Sequence, residues 1–160
     1  MPKPTESQLC KLGNLVQPFE RTGFKRKILA GEDLKVPFDG SIYDATNNRY
    51  PNDVLLSNPE EVMVGKAENT KYLWVIDQNG LFIIPEQTAN SFAVRGVVCH
   101  TNLTGGGSAI QGGELWFGTD GVVYINNKSG RYGATTLEER YAILDYFGFI
   151  GYKNVQQLIC

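Results

Sequence analysis

The strongest constraint on the fold is a pair of apolar runs that flank Asn79 and Gly80. The stretch reads KYLWVIDQNGLFIIPE over residues 71–86, with β-branched and aromatic residues on both sides of the Asn-Gly step. Asn and Gly tolerate the positive φ angles that a tight hairpin turn needs, and branched and aromatic side chains favour extended backbone. The sequence therefore predicts an antiparallel β-hairpin at this point.

Further strands are predicted in the second half of the chain, because short apolar runs recur there between turn residues. The predicted strands are RGVVCH (95–100), GELWF (113–117), VVYINN (122–127) and a short last strand, NVQQLI (154–159). A tight turn through Asp120 and Gly121 joins GELWF to VVYINN, the fourth and fifth strands of the predicted sheet. The sheet is therefore expected to be twisted and mostly antiparallel.

Two helices are predicted. One covers SQLCKLGNLV (7–16), where Leu9, Leu12 and Val16 fall near helical spacing. The other begins after Thr136, because Thr136 and Glu139 have the spacing of a capping box, and it ends at Gly148, where glycine can take a left-handed cap. Its apolar side is expected to pack on one face of the sheet.

The predicted fold class is α+β, in one domain. Residues 1–70 are expected to form a loop-rich segment with a short helix and short strands, and residues 71–160 the sheet and helix that carry the site. A chain of 160 residues with 42% hydrophobic residues is long enough to bury one sizeable core.

Composition narrows the function classes. The net charge of −2 and the pI of about 5.4 argue against nucleic acid as a partner, because a phosphate backbone attracts proteins with a basic surplus. A single histidine and three widely spaced cysteines give no metal-site pattern. Neither a signal peptide nor a membrane span is predicted. The expected location is cytoplasmic, or a target-cell cytosol reached by another route.

Strand alternation predicts a catalytic site, since side chains two positions apart share a face of the sheet. Leu115, Phe117, Val123 and Ile125 are expected on the helix-covered face. The opposite face, expected to be open, would then carry His100, Glu114, Trp116 and Tyr124. A carboxylate beside an imidazole and a flat aromatic wall suit a site for a nucleotide.

Two loops beside this face are predicted to contact the ligand. In LTGGGSAIQGGE (103–114), backbone N–H groups of residues such as Gly105 and Gly106 are candidates for an anion-binding nest. In NNKSGRYGATT (126–136), Ser129, Arg131 and Tyr132 come just before a helix N-terminus, which favours a phosphate or carboxylate. Gly-rich loops between strands are more often flexible connectors, and for the second loop simple turn and cap structure is an equal alternative.

The pieces CHTNLTGG, GGELWF and DGVVYINNKSGRYG resemble, in order, a module that elsewhere reads roughly KHS-S-[FL]-L-x-G…A-G-E-[IL]…GHYxP. That module is found at the C-terminal tips of bacterial polymorphic toxins and secreted effectors, and in plant IQ-motif calmodulin-binding proteins. The resemblance covers residues 99–148 and matches His100, Thr101, Glu114, Ser129 and Tyr132. The chain departs from it where Cys99 replaces Lys, where Arg131 replaces the His of GHY, and at Gly133-Ala134. The resemblance implies a toxin- or effector-like protein.

Three functions remain open at this point. The first is an ADP-ribosyltransferase or NAD glycohydrolase, with NAD as substrate and His100, Tyr132 and Glu114 as catalytic residues. Glu139 is the alternative carboxylate, because known transferases place the Glu after the Tyr. The second is a metal-independent ribonuclease with His100 and Glu114 as acid and base. The third is a non-catalytic immunity or adaptor domain that docks a partner through Trp74, Trp116 and Tyr124. Expected partners are a nucleotide, a target protein and a cognate immunity or regulatory protein.

Overall fold

The computed structural model describes residues 3–21, 35, 72–85, 99–117 and 122–158. Within these ranges the chain forms an α+β arrangement of one sheet and three helices. In chain order the elements are α1 (Glu6–Leu12), β1 (Tyr72–Asp77), β2 (Gly80–Pro85), α2 (His100–Thr104), β3 (Gln111–Phe117), β4 (Val123–Asn126), α3 (Leu137–Phe149) and β5 (Val155–Gln157).

The sheet has five strands in the order β2-β1-β3-β4-β5. The pairs β1/β2, β1/β3 and β3/β4 are antiparallel, and β5 joins the edge of β4 in parallel. The predicted mostly antiparallel sheet is therefore confirmed. The central strand is β3. Its Glu114 pairs with Leu73 of β1 on one side and with Asn126 of β4 on the other.

The predicted hairpin is confirmed, and its turn is short. Asp77 pairs with Gly80, which leaves only Gln78 and Asn79 between the two strands. The Asp77 carboxylate accepts a hydrogen bond from the Asn79 N–H at 2.7 Å. Gly80 has a φ of 134°, a backbone conformation that residues other than glycine rarely adopt.

One face of the sheet, here called the helical face, carries the larger core. Alternate residues of β1, β3 and β4 pack there against α1 and α3. The ring of Trp74 meets that of Phe147 of α3 edge to face, with centroids 5.5 Å apart, and Ile143 is fully buried beside them. Leu115, Phe117, Val123 and Ile125 all lie in this core, as the alternation predicts.

The other face, here called the motif face, is covered by α2 and by the chain that leads into α3. Leu73 and Val75 of β1 pack there against Leu103 of α2 and against Tyr132. Farther along the sheet, Trp116, Tyr124 and Leu158 form a small apolar cluster of their own. Because both faces are covered, the sheet is the middle layer of the described structure.

Helix α3 begins where its sequence predicts. The Thr136 hydroxyl accepts from the Glu139 N–H, and the Glu139 carboxylate accepts from the Thr136 N–H in return, so the capping box is confirmed. The predicted end is wrong by one residue. Gly148 lies inside the helix, which runs to Phe149, and Ile150 caps it in a right-handed conformation.

Two other predictions need correction. The first helix ends at Leu12, because Gly13 has a φ of 112° and stops it before Val16. The last two residues of the predicted strand RGVVCH are not in a strand, because Cys99 is the N-cap of α2 and His100 is its first residue. Residues 95–98, the Asp120-Gly121 turn and most of the predicted loop-rich segment 1–70 lie outside the described residues. No helix in the described ranges is long and apolar enough to cross a membrane.

Candidate functional site

The motif residues gather on the motif face, around the middle of β3. Glu114 points to this face with Trp116, and Asn126 and Tyr124 of β4 lie opposite them in register. Helix α2 supplies His100, and the bend before α3 supplies Ser129 and Tyr132. Residues that lie far apart in the sequence are therefore brought to one region, but their burial differs sharply and decides what each can do.

His100 is buried, with 6% of its surface exposed. Its Nε2 donates a hydrogen bond to the carbonyl oxygen of Gly113 at 2.8 Å. That bond ties the start of α2 to β3 directly beside Glu114. The prediction of an open imidazole at a strand end is wrong, because the residue begins a helix and its outer nitrogen is already engaged. His100 is a positioning residue in this geometry.

The glycines that follow α2 complete the helix end. Gly105 and Gly106 have φ values of 66° and 81°, and the N–H groups of both bond back to the carbonyl of Thr101. The Gly107 N–H bonds to the carbonyl of Thr104 at 3.3 Å. The predicted anion nest is therefore wrong: these donors satisfy the carbonyls that the last turn of a helix leaves open.

The bend from Ser129 to Tyr132 is closed on itself. The Ser129 hydroxyl accepts from the N–H groups of Arg131 and Tyr132, at 3.3 and 3.0 Å. The fully buried Tyr132 hydroxyl donates to the carbonyl of Gly107 at 2.6 Å and is hydrogen bonded to the Thr104 hydroxyl at 3.1 Å. Burial raises the pKa of Tyr132, although Thr104 and Arg131 oppose the shift. In place of the predicted catalytic role, Tyr132 attaches this bend to the end of α2. Ser129, predicted to contact the ligand, instead closes the bend.

Arg131 is buried against the N-terminal segment of the chain. It is 6% exposed, and its guanidinium lies 5.2 Å from the ring centroid of Phe19. The Phe19 N–H also donates to the Arg131 carbonyl at 3.1 Å. A cation over an aromatic ring is stabilised by the ring quadrupole. The predicted anion-binding role is therefore wrong, and Arg131 anchors the N-terminal segment.

The predicted aromatic wall is also closed. Trp116 and Tyr124 are 4% and 2% exposed, and Trp74 is fully buried on the helical face, where its Nε1 donates to the carbonyl of Glu114 at 3.0 Å. An interface formed by these three rings is excluded, because none of them offers surface to a partner. The alternation assigns Trp116 and Tyr124 to the correct face, but that face is covered.

Glu114 is the one predicted catalytic residue that is not buried. It is partly exposed, and its Oε1 accepts from the Asn126 Nδ2 at 3.0 Å. Asn126 is itself fixed, since its Oδ1 accepts from the N–H groups of Glu114 and Lys128, at 3.0 and 2.9 Å. Asn126 is a site residue that the sequence reasoning missed. The predicted alternation places Asn126 on the same face as Glu114, and this shared face could have identified it.

The two glycines before Glu114 are required by close packing. A Cβ at Gly112 would lie 3.2 Å from the Ser129 hydroxyl, and one at Gly113 would lie 2.0 Å from the carbonyl oxygen of Asn126. Gly112 therefore lets the bend from Ser129 to Tyr132 approach β3, and Gly113 leaves room for Asn126 and Trp74 of the neighbouring strands. The two glycines, like Asn126, hold Glu114 in place.

Three polar atoms at predicted ligand positions are buried without a hydrogen-bond partner among the described residues. They are the hydroxyl oxygen of Thr101, which is fully buried, the Nε1 of Trp116, and the Nε of Arg131, a residue whose other groups are engaged. Such atoms are uncommon in folded proteins, because desolvating a donor without replacing its bond to water costs about 1–3 kcal/mol.

The alternative carboxylate, Glu139, lies on the other side of the sheet and is fully engaged. It forms an ion pair with Arg21, accepts from the Gln111 amide at 2.8 Å, and accepts from the N–H and hydroxyl of Thr135. Burial raises its pKa, but the Thr135 bonds, Arg21 and Thr136 together outweigh that effect, so the pKa lies below its usual value of 4.5. Glu139 is therefore a structural residue, and Glu114 is the more exposed of the two carboxylates.

The described residues contain no group of three or more His, Cys, Asp or Glu side chains that could hold a metal ion. The ribonuclease interpretation loses its acid–base pair, because the Nε2 of His100 is committed to a backbone carbonyl.

Comparison of the chain with protein-family models, with curated proteins and with solved structures finds no match.

Proposed function

We propose that this chain is a toxin- or effector-like domain that binds NAD over the motif face and breaks the bond between nicotinamide and ribose. Glu114 is its reactive carboxylate. The observation that carries the proposal is the contrast in burial: the motif residues around Glu114 are buried and hydrogen bonded to the framework, whereas Glu114 is partly exposed and held by Asn126. An oriented, accessible carboxylate on a rigid support is what such chemistry needs.

The reaction places developing positive charge on the ribose. When the C1′–N bond breaks, its electron pair leaves with nicotinamide and the C1′ carbon becomes oxocarbenium-like. The negative charge of Glu114 stabilises that centre and accepts the proton of the attacking water or target-protein nucleophile, which forms the new bond to C1′. Charge of this kind is stabilised most effectively by a group that is already in place, since no reorganisation is then needed.

The remaining motif residues have supporting roles in this proposal. His100 fixes the carbonyl of Gly113 and so the backbone that carries Glu114. Tyr132 joins α2 to the bend before α3.

The test is nicotinamide release on incubation of the protein with NAD, followed chromatographically. Glu114→Gln keeps the shape and the bond to Asn126 but removes the charge, so release is expected to fall by about 100-fold or more. Glu6→Gln makes the same change on the exposed first turn of α1 and is expected to release nicotinamide at the unmodified rate. Growth arrest on expression in bacteria should follow the same pattern.

His100→Ala separates positioning from chemistry. Because His100 holds the backbone and does not touch substrate in this proposal, its loss should lower the midpoint of thermal unfolding together with activity. Absence of any release, or full release by Glu114→Gln, refutes the NAD proposal. Cleavage of RNA in a parallel incubation would replace it with nuclease chemistry.

A further inference from the structure

A second region capable of binding lies on the helical side of the sheet, away from Glu114. Helices α1 and α3 border a groove of about 550 Å³ there. Cys10, Lys11 and Gly13 form one side, and residues between Thr136 and Asp145, at the start of α3, form the other. A groove of this size falls within the usual range of binding pockets and has room for one or two side chains of a partner.

The α3 side of this groove has a regular arrangement of side chains. Glu138, Tyr141 and Asp145 line it, and their spacing of three and four positions places them along one side of the helix. All three are exposed, Tyr141 with 58% of its surface. Leu137, one turn before Tyr141, is 57% exposed and extends the apolar surface at that end.

The charges of the groove are unequal. Glu139 also lines it, but Arg21 balances its charge. Lys11 stands on the opposite side in the last turn of α1, where a cation complements the carbonyl end of the helix. Glu138 and Asp145 therefore leave the α3 side negative, with an aromatic ring between the two carboxylates.

We propose that this groove binds an arginine-bearing segment of a partner protein. A guanidinium matches both features of the α3 side: its planar face stacks on a tyrosine ring, and its N–H groups pair with carboxylates at the edge. An apolar residue next to the arginine would rest on Tyr141 and Leu137. The site is separated from Glu114 by the sheet, so it neither requires nor tests the NAD chemistry.

The experiment uses a fluorescently labelled Leu-Arg-Leu-Arg peptide amide and follows its anisotropy as full-length protein is added. A Leu-Gln-Leu-Gln amide is the uncharged counterpart and is expected to bind at least about fivefold more weakly. Tyr141→Ala, and Glu138→Gln combined with Asp145→Asn, are each expected to weaken arginine-peptide binding by about fivefold or more. These residues are exposed, so the variants should keep the unmodified thermal unfolding midpoint.

Glu6→Gln is the matched control, because it removes a carboxylate from α1 outside the groove lining. It is expected to leave the affinity unchanged. The proposal is overturned if the arginine peptide does not bind, if the Gln peptide binds as well, or if Glu6→Gln weakens binding as much as the groove variants. It is also overturned if sedimentation shows a dimer that the groove variants dissociate, since the occupant would then be a second copy of the chain.

Discussion

Glu139 and Arg21 form a buried ion pair that joins the first turn of α3 to the N-terminal segment, across 118 positions of sequence. Each side chain is only 10% exposed. Arg21 also donates to the carbonyls of Asn14 and Ile110, at 3.1 and 3.0 Å, and Gln111 of β3 completes the network by donating to Leu12 and Glu139. One carboxylate thus connects α1, β3 and α3.

Replacing Glu139 with Gln should destabilise the fold strongly. The substitution leaves the Arg21 charge buried without its counter-charge, which typically costs about 3–5 kcal/mol of unfolding free energy. Urea denaturation at pH 7 measures the change. Glu138→Gln, at the neighbouring exposed position, is the control and should stay within about 0.5 kcal/mol of the unmodified protein.

The pH dependence of the same pair of proteins gives an independent check. Because the pKa of Glu139 is lowered on folding, its contribution is complete above the usual value of 4.5 and is lost as the pH falls through the folded-state pKa. The difference in stability between the unmodified protein and Glu139→Gln should therefore shrink in acid. A difference that is constant from pH 6 to pH 3 would contradict the assignment.

Tyr146 should control the alkaline limit of stability. Burial, with the nearby negative charge of Asp77, raises its pKa from 10.0 to about 12. The folded state then holds the proton more tightly than the unfolded state, so stability declines as the pH rises between those values. Tyr146→Phe should remove a tyrosinate absorbance phase near pH 12, and Tyr141→Phe should leave that phase in place. Persistence of the phase in Tyr146→Phe would show that another tyrosine produces it.

Two glycine substitutions are expected to act in opposite directions. Gly113→Ala would place a Cβ 2.0 Å from the carbonyl oxygen of Asn126 and 2.6 Å from the Trp74 ring, so it should prevent the native packing of β3. Gly148→Ala meets nothing within 4 Å inside α3 and should stabilise by about 0.5–1 kcal/mol. The midpoint of thermal unfolding of each variant measures the effect. A folded Gly113→Ala protein with an unchanged midpoint would contradict the close approach of Asn126 and Trp74 to Gly113.

Local sequence determined the elements whose signals lie within a few residues. The Asn79-Gly80 hairpin, the start of α3 at Thr136 and the two faces of β3 and β4 are as predicted, because turn geometry, capping and the period of two depend on neighbouring residues. The end of α3 was less well determined, since a glycine is compatible with both a cap and a helix interior.

Only the tertiary structure decided what the motif residues do. Alternation places Glu114, Trp116 and Tyr124 on one face, but it does not say whether another part of the chain covers that face. The engagement of His100 with Gly113, of Tyr132 with Gly107 and of Glu139 with Arg21 spans 13, 25 and 118 positions. Burial and hydrogen bonding across such distances follow from how the layers pack, so a carboxylate that can act and one that holds the fold together look alike in the sequence.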